Sequence, residues 1–239
     1  MMFLQQTLPK PAENLALDEA LLESAEQGLL QDEVLRCWQA DCVFVVLGRS
    51  GRVADEVYAS KVREDRITLI RRSSGGGTIL AGPGCMFFSL VLSLESHPAL
   101  RMVDSAHQWV LSQLVNALAP LTAGLAARGA SDLTVEDLKV GGNSMRIRRN
   151  WLLYHGTLLL NMDLHQIHSY LRHPPREPTY RSGRSHLDFV RNLNQPFATV
   201  EKHLRNQFKA STVMQGFPLA PILQLCWEKY ENDEWTYQR

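Results

Sequence analysis

Three consecutive glycines in the segment RRSSGGGTILAGPG, residues 71–84, limit what this chain can fold into more than any other feature. Glycine tolerates a positive φ and lets another molecule approach the backbone closely. One interpretation is therefore a turn between two strands that involves no ligand. The other is an anion-binding loop whose glycine N–H groups point at a phosphate. Basic and hydroxyl side chains suited to that second role directly precede the glycines: Arg71, Arg72, Ser73 and Ser74.

The segment matches neither of the two common glycine-rich nucleotide motifs. No Gly-Lys-Ser or Gly-Lys-Thr follows the glycines, so the segment is not a P-loop. The G-x-G-x-x-G order of dinucleotide-binding folds is absent as well. The fold cannot be inferred from those motifs, but the charge beside the glycines favours a phosphate-bearing ligand.

A lysine beside a second pair of glycines is the other candidate site. Lys139 precedes VGGNS, and His155 begins HGTLLLN on a strand that is predicted to pair with it. A lysine mounted on a rigid hairpin can neutralise a phosphoryl or carbonyl oxygen as charge develops there. The alternative is an ordinary solvated lysine on a strand.

Composition sets the class of protein. The chain has 239 residues, with 25 basic and 25 acidic side chains and 45% apolar residues, which is typical of a globular domain. A net charge of zero argues against general nucleic-acid binding. No long apolar run and no signal-peptide pattern occur, so we expect no membrane contact and a cytoplasmic location. The cysteines form no CxxC pair and are predicted to be reduced, mostly buried residues: Cys37, Cys42, Cys85 and Cys226.

Apolar residues recur at helical spacing in several segments. NLALDEALLESAEQ predicts an amphipathic helix with Asn14 as a candidate cap. A second helix is predicted within residues 101–119, and HQIHSYL predicts a short one. Pro196 opens a further helix, and a last helix is expected around Leu223 and Tyr230.

Runs rich in β-forming residues separate these helices. Residues 35–49 predict two short strands with a turn near Ala40, and ITLIRR leads a third strand into the glycines. CMFFSLVLSL is long and apolar enough to be a central strand. Residues 137–164 predict a hairpin whose turn lies near Arg149 and Asn150. Together the elements predict one mixed domain of helices and strands.

Four motifs resemble those of the lipoate-protein ligases, a family within the wider group that includes octanoyltransferases and biotin-protein ligases. They are NLALDEALL, RRSSGGGTIL, SDLTVEDLKVGGNSMR and HGTLLLNMDL, and they cover about residues 12–170. The resemblance implies an α+β fold, a largely antiparallel mixed sheet flanked by helices, related to the class II aminoacyl-tRNA synthetase core. Larger ligases of the family append a C-terminal accessory domain, so we expect here a single catalytic domain over residues 1–239 without one.

The resemblance implies a reaction in two steps. Lipoate attacks the α-phosphorus of ATP, with Mg²⁺ as cofactor, and the resulting lipoyl-adenylate then modifies a lysine of an apo lipoyl domain. That domain belongs to a 2-oxoacid dehydrogenase or to the glycine-cleavage H protein. The resemblance makes Lys139 the catalytic residue, and Asp132 a candidate Mg²⁺ ligand. It assigns adenylate and phosphate binding to Arg72, Ser74, Gly75, Gly76, Gly77, Thr78 and Asp132. It assigns the lipoyl pocket to Arg71, His155, Gly156 and Thr157.

The sequence departs from the family pattern in ways that keep alternatives open. Many relatives have a histidine four residues after the last glycine, where this chain has Ala81. AGPGC resembles octanoyltransferases, which act from a carrier thioester through a cysteine. Cys85 is the thiol nearest the glycines, although a small buried residue is the simpler interpretation. A non-catalytic lipoate- or RNA-binding relative is another alternative, and a separate small accessory subunit is a candidate partner.

Two further clusters carry a weaker signal. Asp163, His165 and His168 have spacings that a metal could use, but we expect them to be solvated and assign no transition metal. Residues 172–191 contain five arginines around Tyr180. They form either a surface that grips phosphate or an acidic partner, or a loop held by local contacts.

Overall fold

Eleven strands and nine α-helices are formed by residues 1–238, which this computed structural model describes. The strands are β1 (Met2–Leu4), β2 (Val34–Trp38), β3 (Phe44–Leu47), β4 (Thr68–Arg71), β5 (Ile79–Ala81), β6 (Cys85–Ser93), β7 (Leu125–Arg128), β8 (Asp132–Val135), β9 (Leu138–Ile147), β10 (Trp151–Leu159) and β11 (Thr212–Val213). The helices are α1 (Pro11–Glu26), α2 (Val53–Glu56), α3 (Ala59–Glu64), α4 (Val103–Leu118), α5 (His165–Tyr170), α6 (His186–Phe189), α7 (Phe197–Gln207), α8 (Leu219–Leu225) and α9 (Asp233–Thr236).

Most strands belong to one large mixed sheet with the order β11-β1-β2-β6-β10-β9-β8-β7. β1 pairs in parallel with β2 and β11, and the remaining pairs are antiparallel. The predicted α+β fold with a largely antiparallel mixed sheet is therefore confirmed. β6 is a buried inner strand, as its apolar sequence predicts. The hairpin of β9 and β10 also turns where predicted, between Ile147 and Trp151.

A smaller sheet has the order β4-β3-β5 and presents the glycines between its strands β4 and β5. β3 pairs in parallel with β4 and antiparallel with β5. The two strands predicted in residues 35–49 thus lie in different sheets, β2 in the large one and β3 in the small one.

Helix α1 is buried on nearly all sides, so the prediction of a helix at residues 14–27 is confirmed but its amphipathic character is wrong. Thirteen of its residues are buried, because α8 packs on the side that does not face the sheet. Asn14 is not the cap, since the helix already begins at Pro11. The Asn14 side chain instead accepts from the Leu8 N–H at 2.9 Å and donates to the Leu8 carbonyl at 2.8 Å.

Helices α4 and α7 cover the opposite side of the large sheet and enclose a second core with it. α7 buries Val200 and Leu204 at the predicted helical spacing. α4 buries most of its predicted apolar face, but its first residue, Val103, is 52% exposed. None of the helices formed by residues 1–238 is long and apolar enough to cross a membrane.

Candidate active site

The side of the large sheet that faces α1 carries two rows of side chains that define the candidate site. Residues that pair directly across neighbouring strands point to the same side of a sheet. One row, read by strand pairing, is Asp132, Gly142, Thr157, Phe87 and Trp38. The next row is Ser144, His155, Ser89 and Arg36. The predicted phosphate ligand Asp132 and the predicted pocket residues His155 and Thr157 therefore share one side.

Gly156 lies between those two pocket residues but faces the other side, because strand side chains alternate. A Cβ on Gly156 would lie 2.0 Å from Asn143 Oδ1 and 2.8 Å from the Gly142 carbonyl oxygen. Glycine is required here so that the Asn143 side chain can reach the Ser131 carbonyl, to which its Nδ2 donates at 2.8 Å. Gly156 thus serves packing on the far side of the sheet.

Lys139 reaches the site side through a β-bulge. The register of β8 against β9 shifts at Leu133, and Val140 packs into the core on the α4 side. Such a bulge re-aims the side chain next to it. The Lys139 Nζ accordingly lies above Gly142, at 2.8 Å from where a Cβ on that glycine would be.

Lys139 and Asp132, both named as site residues from the sequence, form an ion pair, and Tyr180 joins them. The Lys139 Nζ lies 2.6 Å from Asp132 Oδ1, with the two side chains 29% and 10% exposed. The Tyr180 hydroxyl donates to Asp132 Oδ2 at 2.8 Å. Burial, and then the charge of Asp132, raises the pKa of Tyr180, so the phenol keeps its proton and remains a donor. Tyr180 was given no site role from the sequence, because it is 48 residues from its partner.

Arg72 holds the glycine loop, residues 73–78, from its inner side. Its guanidinium is buried and donates to the carbonyls of Gly75, at 3.1 Å, and Gly77, at 2.9 Å. It also donates to Ser74 Oγ at 3.1 Å. Burial lowers the pKa of Arg72 to about 10, which leaves it charged at neutral pH. Arg72 therefore fixes the shape of the loop by binding its carbonyls.

The backbone N–H groups of the three glycines in the loop are available to a ligand. No described residue accepts a hydrogen bond from the N–H of Gly75, Gly76 or Gly77. Only Gly76 has a positive φ, of 84°. A Cβ at Gly75 or at Gly77 would meet nothing within 4 Å, so internal packing does not require glycine at either position. Three successive unpaired N–H groups on an exposed loop suit an anion better than a simple turn.

Ser74 and Ser144 attach the glycine loop to the large sheet. Ser74 Oγ lies 2.5 Å from His155 Nε2, and Ser144 Oγ donates to the Gly75 carbonyl at 2.9 Å. Burial lowers the pKa of His155 to about 4, so its imidazole is neutral at physiological pH. His155 contributes an anchor for the loop and no positive charge.

Glu56 anchors the far end of the glycine loop. Its Oε2 accepts from the Thr78 N–H at 3.0 Å and from the Thr78 hydroxyl at 2.7 Å. Its Oε1 also accepts from the Arg52 N–H at 3.2 Å. Nothing in the sequence marks Glu56, which lies in the short helix α2 22 residues before its partner.

Arg71 lies behind the glycine loop. Its side chain is fully buried and donates to the Gly51 carbonyl at 2.7 Å and the Thr236 carbonyl at 2.6 Å. Trp235 Nε1 donates in return to the Arg71 carbonyl at 2.8 Å. These contacts connect the loop to the C-terminal segment, and the place of Arg71 in the lipoyl pocket stays a prediction.

Two buried carboxylates of α1 support this part of the fold. Asp18 binds Arg36 at 2.6 Å. Glu19 accepts from Lys229 at 2.7 Å and from the Tyr230 hydroxyl at 2.5 Å. Burial alone would raise the pKa of Glu19, but these hydrogen bonds outweigh it and lower the pKa. The C-terminal segment is therefore tied to α1 as well as to Arg71.

Cys85 lacks the properties of a nucleophile. It is 1% exposed, and burial raises the pKa of its thiol to about 12. A thiol that stays protonated is a poor nucleophile, so the interpretation of Cys85 as a small buried residue is confirmed. All four cysteines are free, and Cys42 differs from the prediction in being exposed.

The arginine loop, residues 172–191, is held largely by its own contacts. Arg181 donates to the Arg184 carbonyl at 3.0 Å, and Arg184 donates to the Tyr180 carbonyl at 2.8 Å. Both guanidinium groups also stack on the Phe189 ring. Arg181 and Arg184 therefore shape the loop rather than offering a docking surface. Among residues 1–238, no group of three or more side chains could hold a metal ion.

A mixed sheet, an exposed glycine loop and a lysine on strand β9 together form the candidate active site. The family described as "Lipoyl protein ligase A/B catalytic domain" matches residues 10–215. The chain belongs to this family, which confirms the resemblance to lipoate-protein ligases and the predicted class of enzyme.

Relatives of the chain carry names from the same family. A Mycoplasma genitalium protein named "Probable lipoate-protein ligase A" is 27% identical over 237 residues, 95% of this chain and 69% of that protein. The Staphylococcus aureus "Lipoate–protein ligase 1" is 26% identical over 242 residues, 96% of this chain and 70% of that protein. A match to a Mycoplasma pneumoniae protein of the same name as the first is 31% identical and spans 69% of this chain and 48% of that protein.

Solved structures show the same fold. A bi-partite lipoate protein ligase of Thermoplasma acidophilum, described with its E2 lipoyl domain, superposes with a TM-score of 0.81 at 22% identity, covering 99% of this chain and 95% of that one. A T. acidophilum protein with bound lipoic acid also gives 0.81, at 20% identity, with 100% and 99% covered. A lipoate-protein ligase A bound with ATP gives 0.77 at 21% identity, with 99% and 98% covered.

Proposed function

We propose that this chain is a lipoate-protein ligase that activates lipoate with ATP and transfers it to a lysine of a lipoyl domain. In the first step a lipoate carboxylate oxygen attacks the α-phosphorus of ATP, and pyrophosphate leaves. In the second step the lysine amine attacks the acyl carbonyl, an amide forms and AMP leaves. Both steps gather negative charge on oxygen atoms, which fixed N–H donors and a cation stabilise.

The observation that carries the proposal is the meeting of the glycine loop and Lys139 on one side of β9. Ser144 binds the Gly75 carbonyl, while Lys139 lies above Gly142, two residues earlier on the same strand. An acyl phosphate lying along this strand would meet the loop N–H groups and the lysine at once. Such an arrangement supplies donors that need little rearrangement as charge develops.

The row that begins with Asp132 and Gly142 continues through Thr157 to apolar rings, and this part of it suits an uncharged acyl chain, with His155 beside it in the next row. His155 is neutral at physiological pH, because burial lowers its pKa to about 4. Thr157 pairs across the sheet with Phe87, which stacks on Trp38 with ring centroids 4.0 Å apart. An acyl group lying along this row would run from the polar end of the site towards the apolar core.

Asp132 is the side chain that would hold Mg²⁺ during the first step. Mg²⁺ commonly binds one or two protein carboxylates and completes its coordination with phosphate oxygens and water. One carboxylate beside Lys139 fits that pattern, and it requires the phosphates of the nucleotide as further ligands. When bound, Mg²⁺ would offset charge on those phosphates.

The names of related proteins support the proposed substrates and partner. Structural neighbours are described with lipoic acid, with ATP and with an E2 lipoyl domain. One of them is called bi-partite, so we include a separate accessory subunit as a candidate requirement for the adenylation step. The acceptor is proposed to be the lipoyl domain of a 2-oxoacid dehydrogenase or the glycine-cleavage H protein.

The alternative of an octanoyl transferase has less support. That reaction needs an accessible thiolate, whereas Cys85 is buried and burial raises the pKa of its thiol to about 12. Lys139 with its loop donors requires no such thiol, because the acyl group is activated by AMP.

The proposal is tested by intact-mass spectrometry of an apo lipoyl domain after incubation with the protein, lipoate and Mg-ATP. We expect the mass of one lipoyl group to be added. Lys139→Ala should slow the addition by about 100-fold or more, the effect of removing one preorganised charge-stabilising group. Lys61→Ala is the matched control, because Lys61 is an exposed lysine paired with Asp65 on α3.

Two parallel reactions separate the remaining outcomes. Product from preformed lipoyl-adenylate, but not from lipoate and ATP, indicates that an accessory subunit is needed for adenylation. If product forms from an octanoyl-carrier thioester without ATP, the protein is an octanoyl transferase and not a ligase. If no reaction yields product, the chain does not perform the proposed chemistry.

A further inference from the structure

The proposed catalytic lysine is held by a carboxylate that has a second partner. Asp132 places Oδ1 2.6 Å from Lys139 Nζ and accepts from the Tyr180 hydroxyl through Oδ2 at 2.8 Å. These two are the side-chain partners of Asp132 among the described residues. Lys139 can approach an anionic substrate only if it loosens its contact with Asp132, so whatever shares that carboxylate affects the release of the lysine.

The arginine loop places Tyr180 beside the Asp132 carboxylate and also binds the backbone of Lys139. The Arg191 N–H donates to the Lys139 carbonyl at 2.9 Å, and Arg191 pairs with Glu136 at 3.0 Å. Arg184 donates to the Asp137 carbonyl at 3.1 Å. The loop is thus bound to the β8–β9 turn from several sides, and the position of Tyr180 relative to Asp132 is fixed.

We infer that Tyr180 is a positioning residue of the proposed ligase site, whose hydroxyl binds Asp132 and weakens its hold on Lys139, so that the lysine can move to an anionic substrate. The inference rests on the proposed function, and it gives Tyr180 a role beside Lys139 that the arginine pattern of its loop did not indicate.

The physical basis is competition for one negative charge. A hydrogen bond to Oδ2 draws charge away from Oδ1, and it also prevents rotation of the carboxylate about its bond to Cβ. The phenol ring is held in turn by Phe189, with ring centroids 5.3 Å apart. Without the hydroxyl, Lys139 would be the one described side chain on Asp132, and the ion pair would tighten.

The test compares Tyr180→Phe with Tyr170→Phe. Both variants keep the ring and remove one tyrosine–aspartate hydrogen bond, since Tyr170 donates to Asp65 at 2.9 Å far from the site. Each variant is made alone and with Asp132→Asn. The measurements are kcat and KM for lipoyl transfer from preformed lipoyl-adenylate, the melting temperature, and the rate at which an amine reagent labels Lys139, read by peptide mass spectrometry.

We expect Tyr180→Phe to lower kcat by about tenfold, the effect of one hydrogen bond to a charged group. KM and melting temperature should stay near the starting values, and Lys139 should be labelled about threefold more slowly because Asp132 holds it more tightly. In the Asp132→Asn background, Tyr180→Phe should have no further effect. Tyr170→Phe should change none of these rates.

Three results would overturn the inference: unchanged kcat and labelling in Tyr180→Phe, an equal loss in the Asp132→Asn background, or a loss that follows the melting temperature. The labelling measurement needs no substrate, so it tests the Tyr180 contact even if the unmodified protein transfers no lipoate. Absence of transfer by the unmodified protein would refute the proposed function, whereas unchanged labelling would refute the role of Tyr180.

Discussion

Gly142 offers a sharp test of whether Lys139 must occupy its observed position. A Cβ added at Gly142 would lie 2.8 Å from Lys139 Nζ and 2.9 Å from its Cε, with Asp132 Oδ1 at 3.6 Å. The backbone at Gly142 does not have a positive φ, so alanine is tolerated by the main chain. Gly142→Ala therefore acts on the end of the lysine side chain.

The size of the effect follows from those distances. The Nζ must retreat by roughly 0.7 Å to regain an ordinary separation of about 3.5 Å from the new carbon. The lysine is 29% exposed and can move towards solvent, so we expect a change in the free energy of unfolding below about 1 kcal/mol. A misplacement of this order at a catalytic group lowers turnover by about 10- to 100-fold.

The assay is single-turnover lipoyl transfer from preformed adenylate, with urea unfolding on the same samples. Gly141→Ala is the neighbouring control, because its Cβ would lie 2.6 Å from the Thr157 carbonyl oxygen, which belongs to the paired strand and cannot move cheaply. We expect Gly141→Ala to lose stability, and Gly142→Ala to lose rate alone. Full activity of Gly142→Ala would show that the position of Lys139 does not matter, and an unfolding defect equal to that of Gly141→Ala would refute the reasoning.

Three further predictions concern groups that hold the glycine loop and the C-terminal segment. Arg72→Lys should lower the free energy of unfolding by about 2 kcal/mol, because a lysine cannot replace the guanidinium's hydrogen bonds to several loop oxygens at once; unchanged urea denaturation would contradict this. Burial lowers the pKa of His155 to about 4, from 6.5, so only the unfolded chain binds the proton in that interval. The stability that neutral His155 contributes should therefore fall by up to about 3 kcal/mol as the pH drops from about 6.5 to 4, and urea titrations of His155→Asn should lack that part of the pH dependence. Trp235→Phe removes the donor to the Arg71 carbonyl and should destabilise the fold by about 1 kcal/mol, measured by thermal unfolding.

The fold could be predicted largely because its signals are local or shared with a family. Two β-rich runs around a polar turn predict the hairpin of β9 and β10, and an uninterrupted apolar run predicts the buried strand β6. The character of α1 could not be predicted in this way. Its burial depends on α8, about 200 residues later in the chain, whose packing on α1 no local pattern reveals.

The site, too, has residues that sequence motifs predict and residues that only the structure shows. Lys139, Asp132 and the three glycines are marked by motifs, and the structure brings the lysine and the aspartate within 2.6 Å. Glu56 and Tyr180 could not be predicted as site residues because each binds a partner distant in sequence, Thr78 and Asp132 respectively. The structural role of Arg71 could not be predicted either, because its hydrogen bonds go to backbone carbonyls behind the loop that no motif indicates.

The structure gives a physical reason against a histidine at position 81, where the family resemblance would place one and the chain has Ala81. Ala81 is fully buried in β5, where it pairs with Phe44 across the small sheet. An imidazole at this position would have to enter an apolar core, and a buried polar ring without a partner is costly. The glycine loop instead receives an imidazole contact from the large sheet, through His155 on Ser74. The loop is therefore held by His155 of β10, Arg72 and Glu56 together, which leaves the N–H groups of its three glycines available to bind an anion.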